Sequence, residues 1–263
     1  MLRMIVCSKD RASQLDLLLR SVKKQFHDWG QQTIIVLQRT TTDSFAEGYR
    51  LLAKEHPEVI YVEEESFRSD FQKLALDGEE SHLQLLVDDN VFVRPFSLDD
   101  REFRDFSTDD LVAALSLRMN PSMDYCYTEN VYTGTPWFRA DRAWYWPGLR
   151  GDWGYPNSVD GNIWRRADVR AVIGTGAYER LHQLEPALRL AMRRPLSICY
   201  GQSRILNVAN NTVQDCAVAN RHGGGDATEM NERYLAGEHI GLENIEQAAP
   251  KSPHFEIEYQ WAG

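Results

Sequence analysis

Four short apolar runs, separated by helix-like segments, constrain the fold of this chain more than any other feature. Each run is nearly continuous in apolar residues, which is typical of strands buried on both faces of a parallel sheet. The runs occupy residues 4–8, 33–37, 59–62 and 83–87. Because parallel strands require long crossover connections, this alternation predicts a doubly wound α/β sheet flanked by helices.

The segments between the runs have apolar residues at helical spacing. They cover residues 15–22, 45–54 and 67–76. The second must end before Pro57, since the residue before a proline disfavours helical backbone. Helical crossovers of this kind place the carboxyl ends of all four strands on one edge of the sheet, where open α/β sheets bind their ligands.

Polar residues follow every predicted strand and should therefore gather along one crevice. They are Lys9, Asp10 and Arg11 after the first strand, residues 38–43 after the second, Glu63 after the third, and Asp88, Asp89 and Asn90 after the fourth. Adjacent carboxylates repel each other when buried, and a divalent cation such as Mg²⁺ or Mn²⁺ would relieve that repulsion. The alternative is a solvated Asp-Asp-Asn turn without a ligand.

Composition excludes several other classes of protein. The chain has 263 residues and a net charge of −10, which argues against a general nucleic-acid surface. No window is apolar enough for a membrane span, and the first residues lack a signal-peptide layout. The four cysteines are scattered without CxxC spacing, so we expect reduced thiols in a cytoplasmic protein.

Two segments resemble the GT-A glycosyltransferases, and within them the family 2-like nucleotide-sugar transferases. Residues 5–11, leading into Gln14 and Leu15, are similar to the first strand and its polar exit. Residues 86–90 resemble the Asp-any-Asp motif, although Asn90 stands where many members have the last carboxylate. The resemblance implies a Rossmann-like, mostly parallel sheet with an elaborated carboxyl-terminal half.

The same resemblance implies roles for the two aspartates. Asp88 would contact the nucleotide ribose, and Asp89 would bind Mn²⁺ or Mg²⁺. Members of this group commonly complete the metal site with a histidine from the carboxyl-terminal half. His222 lies in a glycine-rich loop, residues 221–226, that could close over the nucleotide as a lid, and His254 competes for the role.

Basic and polar residues near the predicted crevice are candidates for nucleotide-sugar binding. Those at the exit of the first strand are Ser8, Lys9, Asp10 and Arg11, and those on the helix before the metal motif are Arg68 and Lys73. Ordinary surface charge is the alternative for each lysine and arginine. If the reaction inverts, which we favour over retention, a carboxylate base is required. Resemblance points to Glu185, beside Pro186 in a helix over residues 181–192, with Asp160 as the second candidate.

The second half carries a dense aromatic segment at residues 123–155, with four of the seven tryptophans. It could form an acceptor-binding flap, since aromatic faces stack on sugars, or a packing cluster beneath a long loop. No repeat or linker divides the chain. We therefore expect one domain, with residues 1–96 as the nucleotide-sugar half and residues 97–263 as the acceptor half and lid.

These expectations combine into a metal-dependent transferase that moves a sugar from a UDP- or GDP-sugar to an unknown hydroxyl acceptor. One rival is a sugar-1-phosphate nucleotidyltransferase, which should carry a glycine-rich, arginine-bearing loop after the first strand. Residues 8–13 contain no glycine, which counts against it. The other rival is a non-catalytic module that binds a nucleotide sugar or glycan.

Overall fold

The computed structural model describes residues 1–213 and 221–263. Its first half contains the predicted four strands and three helices in the predicted order, which confirms that part of the fold. They are β1 (Leu2–Lys9), α1 (Ala12–Gln25), β2 (Thr33–Arg39), α2 (Asp43–Glu55), β3 (Ile60–Glu63), α3 (Phe67–Leu76) and β4 (His82–Val87).

The second half is built from shorter elements with long connections. They are β5 (Asn90–Phe92), α4 (Arg101–Thr108), β6 (Val112–Ser116), β7 (Tyr125–Cys126), β8 (Val131–Tyr132), β9 (Ala143–Tyr145), β10 (Asn162–Arg165), α5 (Arg166–Thr175), α6 (Leu181–Arg189), β11 (Leu196–Cys199), β12 (Ile205–Val208), α7 (Ala227–Leu235), β13 (His239–Ile240), α8 (Glu243–Glu246), β14 (His254–Phe255) and β15 (Trp261–Ala262). No helix in the described part of the chain is long and apolar enough to span a membrane.

One eight-stranded sheet forms the centre of the molecule, in the order β3-β2-β1-β4-β10-β6-β11-β9. The first four strands are mutually parallel, with Cys7 paired to Leu37 on one side and to Val87 on the other. Strand β10 runs antiparallel between β4 and β6. The carboxyl ends of β1, β2, β3 and β4 therefore lie along one edge, as the sequence predicts.

A second, three-stranded sheet ties the end of the chain to the exit of β4. Its order is β14-β12-β5, with β12 antiparallel to β5 and parallel to β14. Asn207 is paired with Asn90 on one side and with His254 on the other. This small sheet brings two distant segments to the carboxyl edge of the central sheet.

Helices cover both faces of the central sheet. Helix α1 packs Leu15, Leu18 and Leu19 into one core, together with the inward residues of α2 and α7. Helices α3, α5 and α6 bury Phe71 and Ile173, among others, in the core on the opposite face. Two apolar layers around a mostly parallel sheet make a doubly wound α/β fold.

Local sequence patterns predict a surface excursion at residues 98–110, Pro186 in the first turn of its helix, and a strand in the tail from residue 250. The structure differs at all three. The acid-rich residues 98–110 contain a helix, α4, because Phe103 and Phe106 are spaced to bury on one face while the charges remain outside. Pro186 is the sixth residue of α6 rather than a first-turn residue. The tail from residue 250 is not one strand, since only β14 and β15 are paired. The division at residue 96 stays a prediction.

Leu85 lies fully buried in β4, at the centre of the sheet. We expect Leu85→Ala to lower the free energy of unfolding by about 2–5 kcal/mol, because the deleted methyl groups leave a cavity. The matched control is Leu190→Ala, at a leucine that is 75% exposed, which should change stability by less than about 0.5 kcal/mol. Urea denaturation measures both, and equal losses would contradict the assigned burial.

Candidate functional site

A cavity of about 300 Å³ opens at the carboxyl edge of the central sheet. Both halves of the chain contribute to its wall, so the site depends on the second half folding back over the first. Among the lining residues are Ser8, Lys9, Arg11, Arg39, Glu64, Asp88, Asp89, Tyr127, Asp160, Glu185, Asn207, His222 and His254. Eight of the eleven site residues expected from the sequence are in this set.

Asp88 is held rigidly at the exit of β4. One carboxylate oxygen accepts hydrogen bonds from Ser8 Oγ at 2.8 Å and from the Lys9 backbone N–H at 3.2 Å. Tyr49 in turn hydrogen-bonds to Ser8 Oγ, and its own hydroxyl accepts the backbone N–H of Arg11. A buried polar network of this kind fixes the position of a side chain when all its members have partners.

Arg11 is the buried cation of the site. Its Nη1 lies 2.9 Å from Asp88 Oδ1 and 3.4 Å from Asp89 Oδ2, and its Nη2 donates to the Asn211 carbonyl. Burial opposes the charge, but the two carboxylates more than offset it and raise the pKa of Arg11. The pair of aspartates therefore has an internal counter-ion before any ligand binds.

Nearby positive charge nevertheless compensates the carboxylate of Asp89 only in part. Its Oδ1 accepts a hydrogen bond from Asn207 Nδ2 at 2.9 Å. Burial raises its pKa to about 7 despite the opposing effect of Arg11, and the charges of Asp88 and Asp160 add to the rise. A carboxylate in that condition gains from an additional cation.

Asp160 and His254 form an ion pair in the wall of the cavity. His254 Nε2 lies 3.1 Å from Asp160 Oδ2, and the buried Arg118 reaches the same oxygen at 3.4 Å and Asp152 at 3.3 Å. Burial alone would raise the pKa of Asp160, but the bond to His254 and the charge of Arg118 lower it. Asp160 is therefore a stably ionised group.

The pKa of Glu185 is shifted in the opposite direction to that of Asp160. Its Oε1 accepts the Val159 backbone N–H at 2.9 Å, and its Oε2 accepts the Tyr155 hydroxyl at 3.2 Å. Burial raises the pKa of Glu185 to about 7, and the charge of nearby Asp160 contributes. Two carboxyl groups in one cavity thus differ in their tendency to take up a proton, as acid–base chemistry requires.

Three of the expected binding residues do not line the cavity. Asp10 accepts hydrogen bonds from the backbone and hydroxyl of Thr41, and so ties the loop after β1 to the loop after β2. Arg68 pairs with Glu179 at 3.0 Å. Lys73 is exposed on α3. Their contacts with nucleotide stay predictions.

Several lining residues are not among the candidate site residues named from the sequence. Arg39 and Glu64 directly follow predicted strands and could have been found from their position. Asn207 lies in the short strand β12 and Tyr127 in the turn after β7, and no local pattern predicts that they approach Asp89 or the cavity. Their placement depends on the small sheet and on long-range loop packing.

Most of the aromatic segment is packing. Trp144 and Trp153 meet edge to face at 5.1 Å, both are buried, and both indole N–H groups donate to backbone carbonyls. Tyr132 and Trp137, in contrast, are 82% and 81% exposed. The packing interpretation therefore holds for the buried tryptophans, while the exposed rings remain available to an acceptor.

The residues around Asp89 are compatible with a divalent cation. Carboxylate oxygen and imidazole nitrogen are donors that Mn²⁺ accepts. His254 Nδ1 is buried and has no hydrogen-bond partner in the described part of the chain. His222 is exposed, and its Nδ1 accepts the Gly224 N–H at 3.2 Å. His254 can offer Nδ1 to a metal when its ring is neutral, with Nε2–H still donating to Asp160 Oδ2.

A group of three residues outside the cavity lining also has potential metal-ligand atoms close together. Within residues 1–213 and 221–263, Asp16, Glu55 and His56 have potential ligand atoms within 4.8 Å of one another. Asp16 is already bonded to His56 at 2.9 Å, to Arg20 at 2.8 Å and to His239 at 3.0 Å. These bonds join α1 to the end of α2 and to β13. We interpret this group as a structural network.

Comparisons with known proteins were made by sequence and by structure. No family model matches the chain. The bifunctional glycosyltransferase pgtA of Dictyostelium discoideum is 24% identical over 197 residues, which is 65% of this chain and 25% of that protein. The chain thus spans about a quarter of the length of this curated relative.

Among solved structures, S. aureus TarS superposes with a TM-score of 0.52 and 11% identity, over 78% of this chain and 36% of TarS. The mannosyltransferase PcManGT from Pyrobaculum calidifontis, in complex with GDP-Man and Mn²⁺, gives 0.45 and 12%, over 82% and 58%. Similarity at the latter level establishes nothing about shared ligands. The likeness to TarS confirms the predicted GT-A fold.

The structural interpretation of Asp16 can be tested by its pH dependence. Burial raises the pKa of Asp16, but the bonds from His56 and Arg20 more than compensate and lower it. The ionised form therefore stabilises the fold above about pH 4, and this stabilisation is lost as the pH falls. Asp16→Asn should lower the free energy of unfolding at pH 7 by about 1–3 kcal/mol, equally in EDTA and in Mn²⁺.

The exposed Asp99→Asn is the control and should leave stability unchanged. The difference between wild type and Asp16→Asn should shrink in acid. A stabilisation of wild type by Mn²⁺ that Asp16→Asn removes, and Asp89→Asn does not, would make this group a metal site.

Proposed function

From its GT-A glycosyltransferase fold, we propose that this chain transfers a sugar from a nucleoside diphosphate to a hydroxyl acceptor. The observation that carries the proposal is the convergence of Asp88, Asp89, Arg11 and Glu185 on one cavity at the carboxyl edge of the sheet. A curated relative described as a bifunctional glycosyltransferase supports it.

The nucleotide is assigned to the side of the cavity nearest β1. Asp88, fixed by Ser8 and the Lys9 backbone, presents a carboxylate to the ribose hydroxyls. The diphosphate lies towards Arg11 and Lys9, which supply positive charge at the exit of β1. Because Arg11 already contacts both aspartates, it can hold the phosphates and the acids in one arrangement.

Asp89 and His254 are the residues proposed to hold a divalent cation, with His222 as the alternative from the loop. A bound Mn²⁺ or Mg²⁺ would neutralise charge on the leaving diphosphate. The protein contributes a carboxylate whose pKa is raised by burial, and a histidine nitrogen that has no hydrogen-bond partner among the described residues. Asn207 orients Asp89 by its hydrogen bond to the opposite oxygen.

Glu185 is proposed as the general base of an inverting transfer. A pKa of about 7 places it where proton acceptance and availability of the basic form are balanced near neutral pH. Asp160, whose pKa is lowered by His254 and Arg118, is a weaker base and a better electrostatic partner. Tyr127, on the same wall, and the exposed aromatic rings of residues 123–155 supply surface for the acceptor.

If Asp89 binds the metal, replacing it should change nucleotide binding without weakening the fold. Asp89→Asn should abolish the effect of Mn²⁺ on the affinity for UDP or GDP while leaving the unfolding midpoint in EDTA at or above that of wild type. It removes charge without volume from a crowded acidic site. Calorimetric titration in Mn²⁺ and in EDTA measures this, with Asp99→Asn as the control. Unchanged affinity in Mn²⁺ would refute the role of Asp89.

The base assignment predicts loss of turnover without loss of donor binding. Glu185→Gln should keep nucleotide affinity and reduce release of the nucleoside diphosphate from the donor by about a hundredfold or more. In wild type, kcat should fall about tenfold per pH unit below pH 7, because Glu185 becomes protonated there. This fall of kcat below pH 7 should be absent in Glu185→Gln.

Glu179→Gln, at an exposed glutamate away from the cavity, is the matched control. Full turnover in Glu185→Gln together with a loss in Asp160→Asn would transfer the role to Asp160. Tight nucleotide binding without turnover by wild type, across a panel of UDP- and GDP-sugars, would instead indicate a binding module.

A further inference from the structure

One end of the cavity, at the exits of β1, β2 and β3, is lined by groups that the proposed chemistry does not use. They are Cys7 from β1, Arg39 from β2, Glu64 just after β3, and Phe67 at the start of α3. If the nucleotide binds as proposed, its phosphates lie near Arg11 and its sugar near Glu185, so this end receives the nucleobase. The inference that follows rests on the proposed function.

The order of the strands sets the distance between this end of the cavity and Asp88. The sequence of strands β3-β2-β1-β4 places β3 three steps from the strand that carries Asp88. Neighbouring strands are about 4.8 Å apart, so the three steps span about 14 Å. A nucleoside extended along the edge from Asp88 would therefore bring the outer edge of its base towards Arg39 and Glu64, while the ribose remains beside Asp88.

The carboxylate of Glu64 has few polar partners among the described residues. Its side chain is 18% exposed, and its only ion pair in the described part of the chain is a long one, at 3.8 Å to Arg39. Neither of its carboxylate oxygens accepts a hydrogen bond from another described residue. Burial raises its pKa, which the charge of Arg39 only partly opposes. Glu64 is only half-buried, and a ligand that covers its carboxylate must supply donors to its oxygens.

Arg39 and Glu64 together present donors beside acceptors. A guanidinium offers N–H groups, and the adjacent carboxylate offers two oxygen atoms. Guanine carries the complementary order along one edge, with the O6 acceptor followed by the N1–H and N2–H donors. We propose that Arg39 and Glu64 select a guanosine diphosphate sugar, with Glu64 accepting N1–H and N2–H and Arg39 donating to O6.

The other bases match this pair less well. Uracil has one N–H between two carbonyl oxygens, so the second oxygen of Glu64 would face a carbonyl. Cytosine presents an amino group followed by two acceptors, which places acceptors against the carboxylate. Adenine has one amino group and one ring acceptor and leaves one carboxylate oxygen without a donor. Discrimination by unpaired buried polar groups is stronger than discrimination by shape alone.

Binding of five nucleoside diphosphates by isothermal titration calorimetry in Mn²⁺ tests the assignment. Wild type should bind GDP more tightly than UDP, ADP or CDP. Inosine diphosphate, which lacks the N2 amino group, should bind about tenfold more weakly than GDP. In Glu64→Gln the affinity for GDP should fall about tenfold to a hundredfold, because the new amide N–H group faces a donor of the base.

The same variant should retain its affinity for UDP, since the glutamine amide complements the N3–H and O2 of uracil. Its ratio of GDP to inosine diphosphate affinity should also collapse towards one. Glu63→Gln is the matched control, with the same change of charge one residue earlier on an exposed side chain outside the cavity wall. It should bind all the diphosphates as wild type does.

Tighter binding of UDP than GDP by wild type, or an unchanged GDP affinity in Glu64→Gln, would overturn the guanine assignment and leave the proposed transferase standing. Failure of wild type to bind any of these diphosphates, with or without Mn²⁺, would refute the proposed function and the guanine assignment together.

Discussion

The buried contact of Arg11 with Asp88 and Asp89 is the interaction on which the rest of the site depends. Two adjacent carboxylates at the end of a buried strand would repel each other without a cation, and removing one partner of a buried ion pair costs about 3–5 kcal/mol. Arg11 also donates to the Asn211 carbonyl, so the same side chain ties the start of the chain to its carboxyl-terminal half. Charge balance and tertiary closure are therefore coupled at one residue.

The carboxyl groups of the cavity differ in the direction in which their pKa values are shifted. Asp160 is neutralised by His254 and Arg118, whereas Glu185 and Asp89 have raised pKa values because burial outweighs their partners. A cavity with one stably ionised acid and two acids of raised pKa suits a reaction that moves a proton while negative charge leaves on a diphosphate. Neither state can be deduced from the residue types, since both depend on burial and on neighbours from other elements.

The two sheets divide the work of building this cavity. The central sheet aligns the exits of β1 to β4, and so determines where Ser8, Lys9, Arg39 and Asp88 lie relative to one another. The small sheet brings Asn207 and His254 to the cavity beside the exit of β4, through their pairing with β5 and with each other. GT-A architecture supplies the first arrangement, whereas the second comes from the elaborated half of this particular chain.

The sequence by itself determined the first half of the fold and the position of Asp88, Asp89 and Arg11. Apolar runs and helical spacing are local signals, and parallel connectivity converts them directly into a shared edge. Tertiary structure alone decided that Asn207, Tyr127 and His254 line the cavity while Arg68 and Lys73 do not. Two-residue strands and long loops carry no periodic signal, and the direction of a side chain on a surface helix depends on packing that a local pattern does not encode.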